Sequence, residues 1–504
     1  MDICVLKASI PVTSKSIVIK TITFLSGSWL GRLDRLESRL LEIPQPTWLL
    51  SESIPMESAA QSNASSPVRS CSPISVETPA TEVSDLFENL DNLLHDISHS
   101  QYILVTGGLG YIGSHTTLEL LKSDYNVIVI DNLSNSFHSV LDRINLLASN
   151  HHGERGTKMP SLRLHAHDYR DTIALRQLLE GYQDSSRWGS PKSKIAGVIH
   201  FAGYKAVEES IREPLKYYAN NVSDLIDFVT TLCDFGIKTF IFSSSATVYG
   251  GSATTGLPLT EELCVHKEEV VKDQDGNERI TQPRCTGITN PYEQTKWMCE
   301  AVLADLATSD PEWTIVALRY FNPIGCDSSG LLGEDPKKIP TNLLPVVVRV
   351  MTGQYKELQM FGIDWETMDG TAVRDFIHVT DLARGHISAL NAASDGVLKE
   401  NFRTFNLGAG YGHSVMEVVR AMEDASAKHI PTRGTGRRLG DVGSCVADVT
   451  RSHDELQWET EKTLKDACVD SYHFLNVSGL SSLWSMSRNN AWLLLYIYIY
   501  NLLC

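Results

Sequence analysis

Residues 102–113 read Tyr-Ile-Leu-Val-Thr-Gly-Gly-Leu-Gly-Tyr-Ile-Gly, an apolar run entering a glycine turn and then an amphipathic stretch. Gly107, Gly110 and Gly113 let the backbone turn sharply, approach a pyrophosphate closely and pack the following helix against the strand. The start of that helix offers unpaired N–H groups to an anion. Alone, the pattern also describes a tight turn that binds nothing. A second apolar run, Asn126 to Ile130, ends in Asp131. An acid about twenty residues beyond the first glycine accepts both ribose hydroxyls, and its charge repels a 2′-phosphate, which selects NAD over NADP.

Outward from this turn, apolar runs at 102–106, 126–131, 195–201, 238–243 and 314–321 alternate with helical spacing at 114–122, 212–234 and 292–307. The alternation predicts an α/β fold: a doubly wound, parallel Rossmann-type sheet with a smaller C-terminal mixed α/β domain closing over the site. Residues 1–97 read as a disordered extension, Ser/Pro/Ala-rich from Ser51 to Thr81. Residues 98–330 form the nucleotide-binding domain, with 265–289 a long surface loop lacking an apolar face. Residues 331–475 form the second domain, partly interleaved with the first. The atypical tail, 476–504, contains the uncharged run Ala491 to Tyr500, which is short against the ~20 residues of a membrane span. Its Tyr/Ile alternation favours β structure and aggregation. It reads as a gene-model or splicing artefact, with peripheral membrane contact as the alternative. Near the N-terminus, Lys20 interrupts the apolar stretch Ser16 to Gly31, which argues against a secretory signal and leaves a mitochondrial presequence open.

The 504-residue chain carries a net charge of -17 with no basic stripe, which excludes nucleic acid as a partner. Its ten cysteines fall singly, without a C-x-x-C pair or a His/Cys cluster at ligand spacing. They read as reduced thiols of a cytoplasmic protein with no metal site.

Three strand ends supply reactive groups. Phe201-Ala202-Gly203-Tyr204-Lys205 follows one strand; its small residues let a cofactor lie against the backbone, within reach of Lys205. Ser243-Ser244-Ser245-Ala246-Thr247-Val248-Tyr249 follows another. Tyr292-Glu293-Gln294-Thr295-Lys296 begins a helix, and its four-residue spacing puts Tyr292 and Lys296 on one face. A tyrosine with a pKa of about 10 is a poor base near neutrality. A neighbouring ammonium and a positive nicotinamide ring both favour phenolate and lower that value, while Ser245 shares the substrate hydroxyl. An isolated Y-x-x-x-K is an ordinary exposed pair. Beside a dinucleotide turn and a serine-rich strand end, it reads as the catalytic set Ser245, Tyr292 and Lys296.

Residues 101 to about 474 resemble the UDP-glucose 4-epimerases of the extended short-chain dehydrogenase/reductase family. The resemblance rests on Gly107 to Gly113, Asp131-Asn132, Asp168-Tyr169, Phe201 to Lys205, Asn220-Asn221, Ser243 to Tyr249, Tyr292 to Lys296, Arg319 to Pro323, Gly370 to Val379, and Arg438 to Asp441. It implies an isomerase of galactose metabolism that interconverts UDP-galactose and UDP-glucose through a 4-keto intermediate. NAD would be tightly bound and regenerated each cycle, contacted by Gly107, Gly110, Tyr111, Ile112, Gly113, Asp131, Asn132, Asp168, Tyr169, Phe201, Ala202, Lys205, Asn221, Tyr292, Lys296 and Tyr320. The UDP-hexose would meet Ser245, Thr247, Tyr292, Asn322, Asn342, Leu343, Phe361, Arg374, Arg438, Asp441 and Cys445. Arginine forks suit diphosphate oxygens. Cys445 stands where hexose-restricted members carry a bulky tyrosine, which implies activity on UDP-N-acetylglucosamine too. A cytoplasmic homodimer without an integral membrane segment is the family expectation.

Three features depart from the family: the long N-terminal extension, the enlarged 265–289 segment and unrelated sequence after Phe474. Two rival readings have their own tests. A nucleotide-sugar 4,6-dehydratase needs an acid pair where Ala246 and Thr247 stand. A catalytically silent NAD-binding regulator needs neither Ser245, Tyr292 nor Lys296.

Overall fold

Tyr102 and Leu104 of the first strand pack into one core and Ile103 and Val105 into another, as the two-residue period of a strand requires. This computed structural model describes residues 101–477, apart from 185–191, 273–277, 286, 338 and 439. The extension through residue 97, including Ser16 to Gly31, and the 491–500 run lie outside the described residues, as does Leu439.

In chain order, β1 (Tyr102–Thr106), α1 (Tyr111–Lys122), β2 (Asn126–Ile130), α2 (Ser139–Arg155), β3 (Leu162–His165) and α3 (Thr172–Gly181) come first. β4 (Ile195–His200) leads through α4 (Val207–Arg212), α5 (Pro214–Tyr218) and α6 (Asp224–Asp234) to β5 (Thr239–Ser245). A ribbon of β6 (Glu269–Lys272) and β7 (Glu278–Thr281) precedes α7 (Pro291–Ser309) and β8 (Thr314–Tyr320). Then come α8 (Leu343–Met351), β9 (Leu358–Phe361), β10 (Val373–Arg374), α9 (Val379–Ser394) and β11 (Phe402–Leu407). α10 (Val415–Ser426), β12 (Thr432–Thr435), β13 (Ser444–Cys445), α11 (Thr450–Leu456) and α12 (Leu464–Val477) complete the described chain.

The main sheet has seven parallel strands in the order β11-β8-β5-β4-β1-β2-β3. Strand order reverses between β1 and β4, and the crevice outside their carboxyl ends is where such sheets bind ligands. On one face, Phe240, Phe242, Ile315 and Ala317 pack with Leu175, Phe228, Leu232 and Leu303. On the other, Ile241, Val316 and Leu318 pack with Leu118, Leu121, Ile144, Leu382 and Leu390. Each such aliphatic or aromatic side chain contributes about 1.5–3 kcal/mol by its burial. Leu344, Val347, Leu358, Val418, Met422 and Ala467 build a separate core together with Ile324, whereas α9 and β11 return to the main sheet.

Two elements differ from the sequence reading. The expected helix over 212–234 is divided: α4 stops at Arg212, Pro214 opens α5, and a π-helical turn, Ala219–Ser223, precedes α6. Proline lacks the N–H needed to continue the ladder. Within 265–289, expected as a surface loop, β6 and β7 form an antiparallel ribbon. Val270 and Ile280 are exposed, but Glu269 is buried, its carboxylate 3.4 Å from Arg403 and 3.0 Å from Arg451. Buried ion pairs fasten the ribbon, so no apolar periodicity marks it. Among the described residues no helix is long and apolar enough to cross a membrane.

Candidate active site

Gly107 adopts φ +72°, and a Cβ there would lie 3.1 Å from the Ala202 nitrogen. A Cβ on Gly113 would stand 2.2 Å from the Gly107 carbonyl oxygen and 2.9 Å from the Gly108 Cα. The turn is therefore packed backbone against backbone. Gly110 caps α1 without a side-chain bond, so the first-turn N–H groups of Tyr111, Ile112 and Gly113 stay available at the carboxyl end of β1. This cradle fits a dinucleotide pyrophosphate. The Tyr111 hydroxyl is already committed, donating to the Gly325 carbonyl at 2.7 Å.

Asp131 is buried and holds the turn itself, accepting from the Leu109 N–H at 3.0 Å, the Leu133 N–H at 2.9 Å and the Ser136 hydroxyl at 2.8 Å. A carboxylate offers about four acceptor positions. Three are filled, which leaves room for one ribose hydroxyl rather than two. Asn132 donates to Asp168 at 2.9 Å, and Arg170 donates to both Asp168 oxygens. The Arg170 bonds hold the Asp168 carboxyl down at about 2. The Tyr169 hydroxyl donates to the Asn220 carbonyl at 2.8 Å, and its ring meets His200 edge-on. Phe201 packs on His386, 4.8 Å between centroids. Asn221 accepts from the Tyr204 N–H and donates to the Thr295 hydroxyl at 3.1 Å, joining the loop after β4 to α7. Lys205 is exposed, with its ammonium 3.5 Å from Glu334.

α7 starts sharply because the Asn290 side chain accepts from the Glu293 N–H at 3.1 Å and Pro291 supplies the first helical residue. Tyr292 and Lys296 on this helix are both buried. Ser245 ends β5 and accepts from the Thr247 hydroxyl at 3.1 Å. Burial pushes the Tyr292 hydroxyl up to about 12, against the lowering influence of Ser245. The protein's own groups thus do not supply the expected depression, which a positive nicotinamide ring would favour when bound. Burial brings Lys296 down to about 8; its ammonium donates to the Ser243 carbonyl at 2.5 Å and lies 4.8 Å over Phe242. Tyr320 stands in register with Ser245 on the adjacent strand and hydrogen-bonds His386.

The expected substrate residues occupy several elements. Asn322 follows β8, its N–H bonded to the Asp375 carbonyl at 2.9 Å. Asn342 caps α8, Leu343 begins it, and the Asn342 amide donates to Glu334 at 2.8 Å. Phe361 ends β9 beneath the Arg438 guanidinium, 4.5 Å from its ring centroid, and Arg438 pairs with Asp441 at 3.0 Å. Arg374 on β10 lies in parallel register with Cys445 on β13. Burial, reinforced by Arg438, lowers the Arg374 pKa; burial pushes the Cys445 thiol up to about 11.

A model of the NAD dependent epimerase/dehydratase family matches residues 103–408. The chain belongs to that family. UDP-glucose 4-epimerase of Bacillus subtilis is 41% identical over 382 residues, covering 75% of this chain and 99% of that protein. A crystal structure of the Bifidobacterium longum UDP-glucose 4-epimerase, in complex with NAD+ and UDP, matches with a TM-score of 0.62 and 38% identity over 76% of this chain and 100% of that one. The structure of the UDP-Glc/GlcNAc 4-epimerase from Campylobacter jejuni matches with a TM-score of 0.55 and 30% identity over 75% and 100% of the two chains.

Two residues that support the candidate site escaped the sequence reading. Glu300, fully buried, accepts from Arg319 at 2.7 Å, His266 at 2.8 Å and the Ser244 hydroxyl, fastening α7 to the strand that carries Ser245. Burial alone would raise its pKa, but Arg319 and His266 hold it below the usual carboxylate range. Its position four residues after Lys296 was the available clue. Glu334, bridging Lys205 and Asn342, lies in a segment without periodicity and left none.

Proposed function

We propose that this protein is an isomerase that interconverts UDP-galactose and UDP-glucose by inverting sugar carbon C4, with NAD retained throughout. The observation that carries the reading is the joining of Ser245, Tyr292 and Lys296 at one strand end, behind a backbone cradle for a dinucleotide. When bound, NAD supplies a hydride acceptor and donor, so that C4 is oxidised to a ketone and reduced again without net redox change.

The protein's residues manage the proton and the geometry. Tyr292 takes the C4 hydroxyl proton and returns it after the ketose turns over. Ser245 holds that hydroxyl by hydrogen bonding. Lys296 holds the helix that carries Tyr292 against the strand that ends in Ser245, through its bond to the Ser243 carbonyl. We assign the phosphate cradle to Gly107, Gly110, Ile112 and Gly113, the ribose to Asp131, and the diphosphate of the substrate to Arg374 and Arg438. Binding energy from the nucleotide then anchors the intermediate while the hexose turns.

Cys445 beside Arg374 supports a second substrate class, UDP-N-acetylhexosamines, because a small side chain there leaves space that tyrosine would fill. A cytoplasmic homodimer remains our proposal for its cellular form; exposed Ile211, Leu215 and Ile226 on α4 to α6 support the interface.

The test is incubation of the purified full chain with UDP-galactose and no added NAD. UDP-glucose should appear, and Tyr292→Phe should abolish its formation. No product, even with NAD supplied, would overturn the proposal.

A further inference from the structure

Cys264 and Cys285 meet across a backbone bridge that the catalytic machinery does not use. Val265 and Arg284 exchange two hydrogen bonds, at 3.1 and 2.9 Å, and pair antiparallel. Continuing that register places Cys264 opposite Cys285 in the neighbouring non-hydrogen-bonded pair. Such pairs hold their Cα atoms ~4.5 Å apart, inside the roughly 4.4–6.8 Å range that a disulfide spans. Both thiols are free, Cys264 fully buried and Cys285 half-buried.

We propose that Cys264 and Cys285 are a reversible disulfide site, an oxidant-dependent staple at the base of the β6–β7 ribbon. The two thiols also influence each other: Cys264 lowers the Cys285 pKa, while Cys285 and burial raise that of Cys264. This makes the more accessible sulfur the attacking thiolate. With a small disulfide such as oxidised glutathione, Cys285 displaces one glutathione thiolate and forms a mixed disulfide. Cys264 then loses its proton, attacks the Cys285 sulfur and expels the second glutathione. Two protein thiols are oxidised to one disulfide while the oxidant is reduced to two thiols.

The staple joins two segments that lead to the site. Cys264 follows the turn Glu261–Leu263, and its carbonyl accepts from Arg319 at 2.7 Å. Cys285 donates to the Val248 carbonyl at 3.7 Å, in the turn after Ser245, and lies shortly before Asn290, the cap of α7. Metal binding suits these groups less well. Cys264, His266 and Glu300 lie close enough to share an ion. Glu300, however, is already bonded to Arg319, His266 and Ser244, and a dication would face the Arg319 guanidinium.

The experiment oxidises the reduced full chain with oxidised glutathione and maps disulfides by mass spectrometry of non-reduced peptides. A Cys264–Cys285 peptide pair should form, revert with dithiothreitol and raise the Tm, since a cross-link constrains the unfolded chain. Cys285→Ser and Cys264→Ser should each abolish both the peptide pair and the Tm rise. Both thiols remaining alkylatable, a disulfide to any other cysteine, or zinc shielding both thiols from alkylation and from the oxidant would overturn the proposal.

Discussion

The Lys296 ammonium donates a hydrogen bond to the Ser243 carbonyl at 2.5 Å, tying the helix that carries Tyr292 to the strand that ends in Ser245. One side chain thus fixes the distance between two reacting groups. Lys296→Met keeps the apolar stem and removes that tie. The expected outcome is a kcat about 10²–10⁴-fold lower, with KM for UDP-galactose changed much less, measured by steady-state kinetics. Equal losses in kcat and in substrate binding would contradict this role.

Gly113→Ala tests the phosphate cradle. Its Cβ would stand 2.2 Å from the Gly107 oxygen, and backbone atoms have no rotamer with which to yield. The expected result is protein purified without retained NAD and destabilised by about 1–3 kcal/mol, read from cofactor content and urea denaturation. Full cofactor occupancy in the variant would count against the cradle.

The strand pattern was legible because alternate residues of β1, β5 and β8 enter two apolar cores, which makes these strands read as nearly continuous apolar runs. The catalytic set was legible because helix geometry turns four-residue spacing into a shared face. The return of β11 to the sheet edge was not, since Phe402–Leu407 carries the buried polar residues Arg403, Thr404 and Asn406, which break the apolar run. Nor was the β6–β7 ribbon, held by Glu269 against Arg403 and Arg451 across long sequence separations. Tyr292 shows a subtler gap: spacing revealed its partners, but burial decided its proton affinity.

Asp375 gives the pH prediction. Its buried carboxylate accepts from the Ala409, Gly410 and Ala447 N–H groups, and burial nevertheless pushes its pKa up to about 6. An unfolded aspartate titrates near ~3.9. Between those values the folded chain binds the extra proton, so this group's contribution to stability grows as pH falls from about 7 to about 4, by roughly 3 kcal/mol in all. Asp375→Asn should remove that component of the slope while costing about 1–3 kcal/mol at every pH through mismatched hydrogen bonds. Urea unfolding across that range checks it; an unchanged slope would refute the assignment.

Cys445→Tyr addresses substrate range. The added ring should lower kcat/KM for UDP-N-acetylglucosamine about tenfold or more while leaving UDP-galactose turnover within a few-fold of the parent. Assaying both sugars on the same preparations gives the ratio. An unchanged ratio would remove Cys445 from specificity.

The central claim is that C4 is oxidised and reduced within one occupied site by a retained cofactor. Incubating the full chain with UDP-galactose deuterated at C4, without added NAD, tests it most directly through mass spectrometry and NMR of the product. The account predicts UDP-glucose that keeps the deuterium at C4. UDP-glucose that has exchanged that deuterium for solvent hydrogen would contradict it.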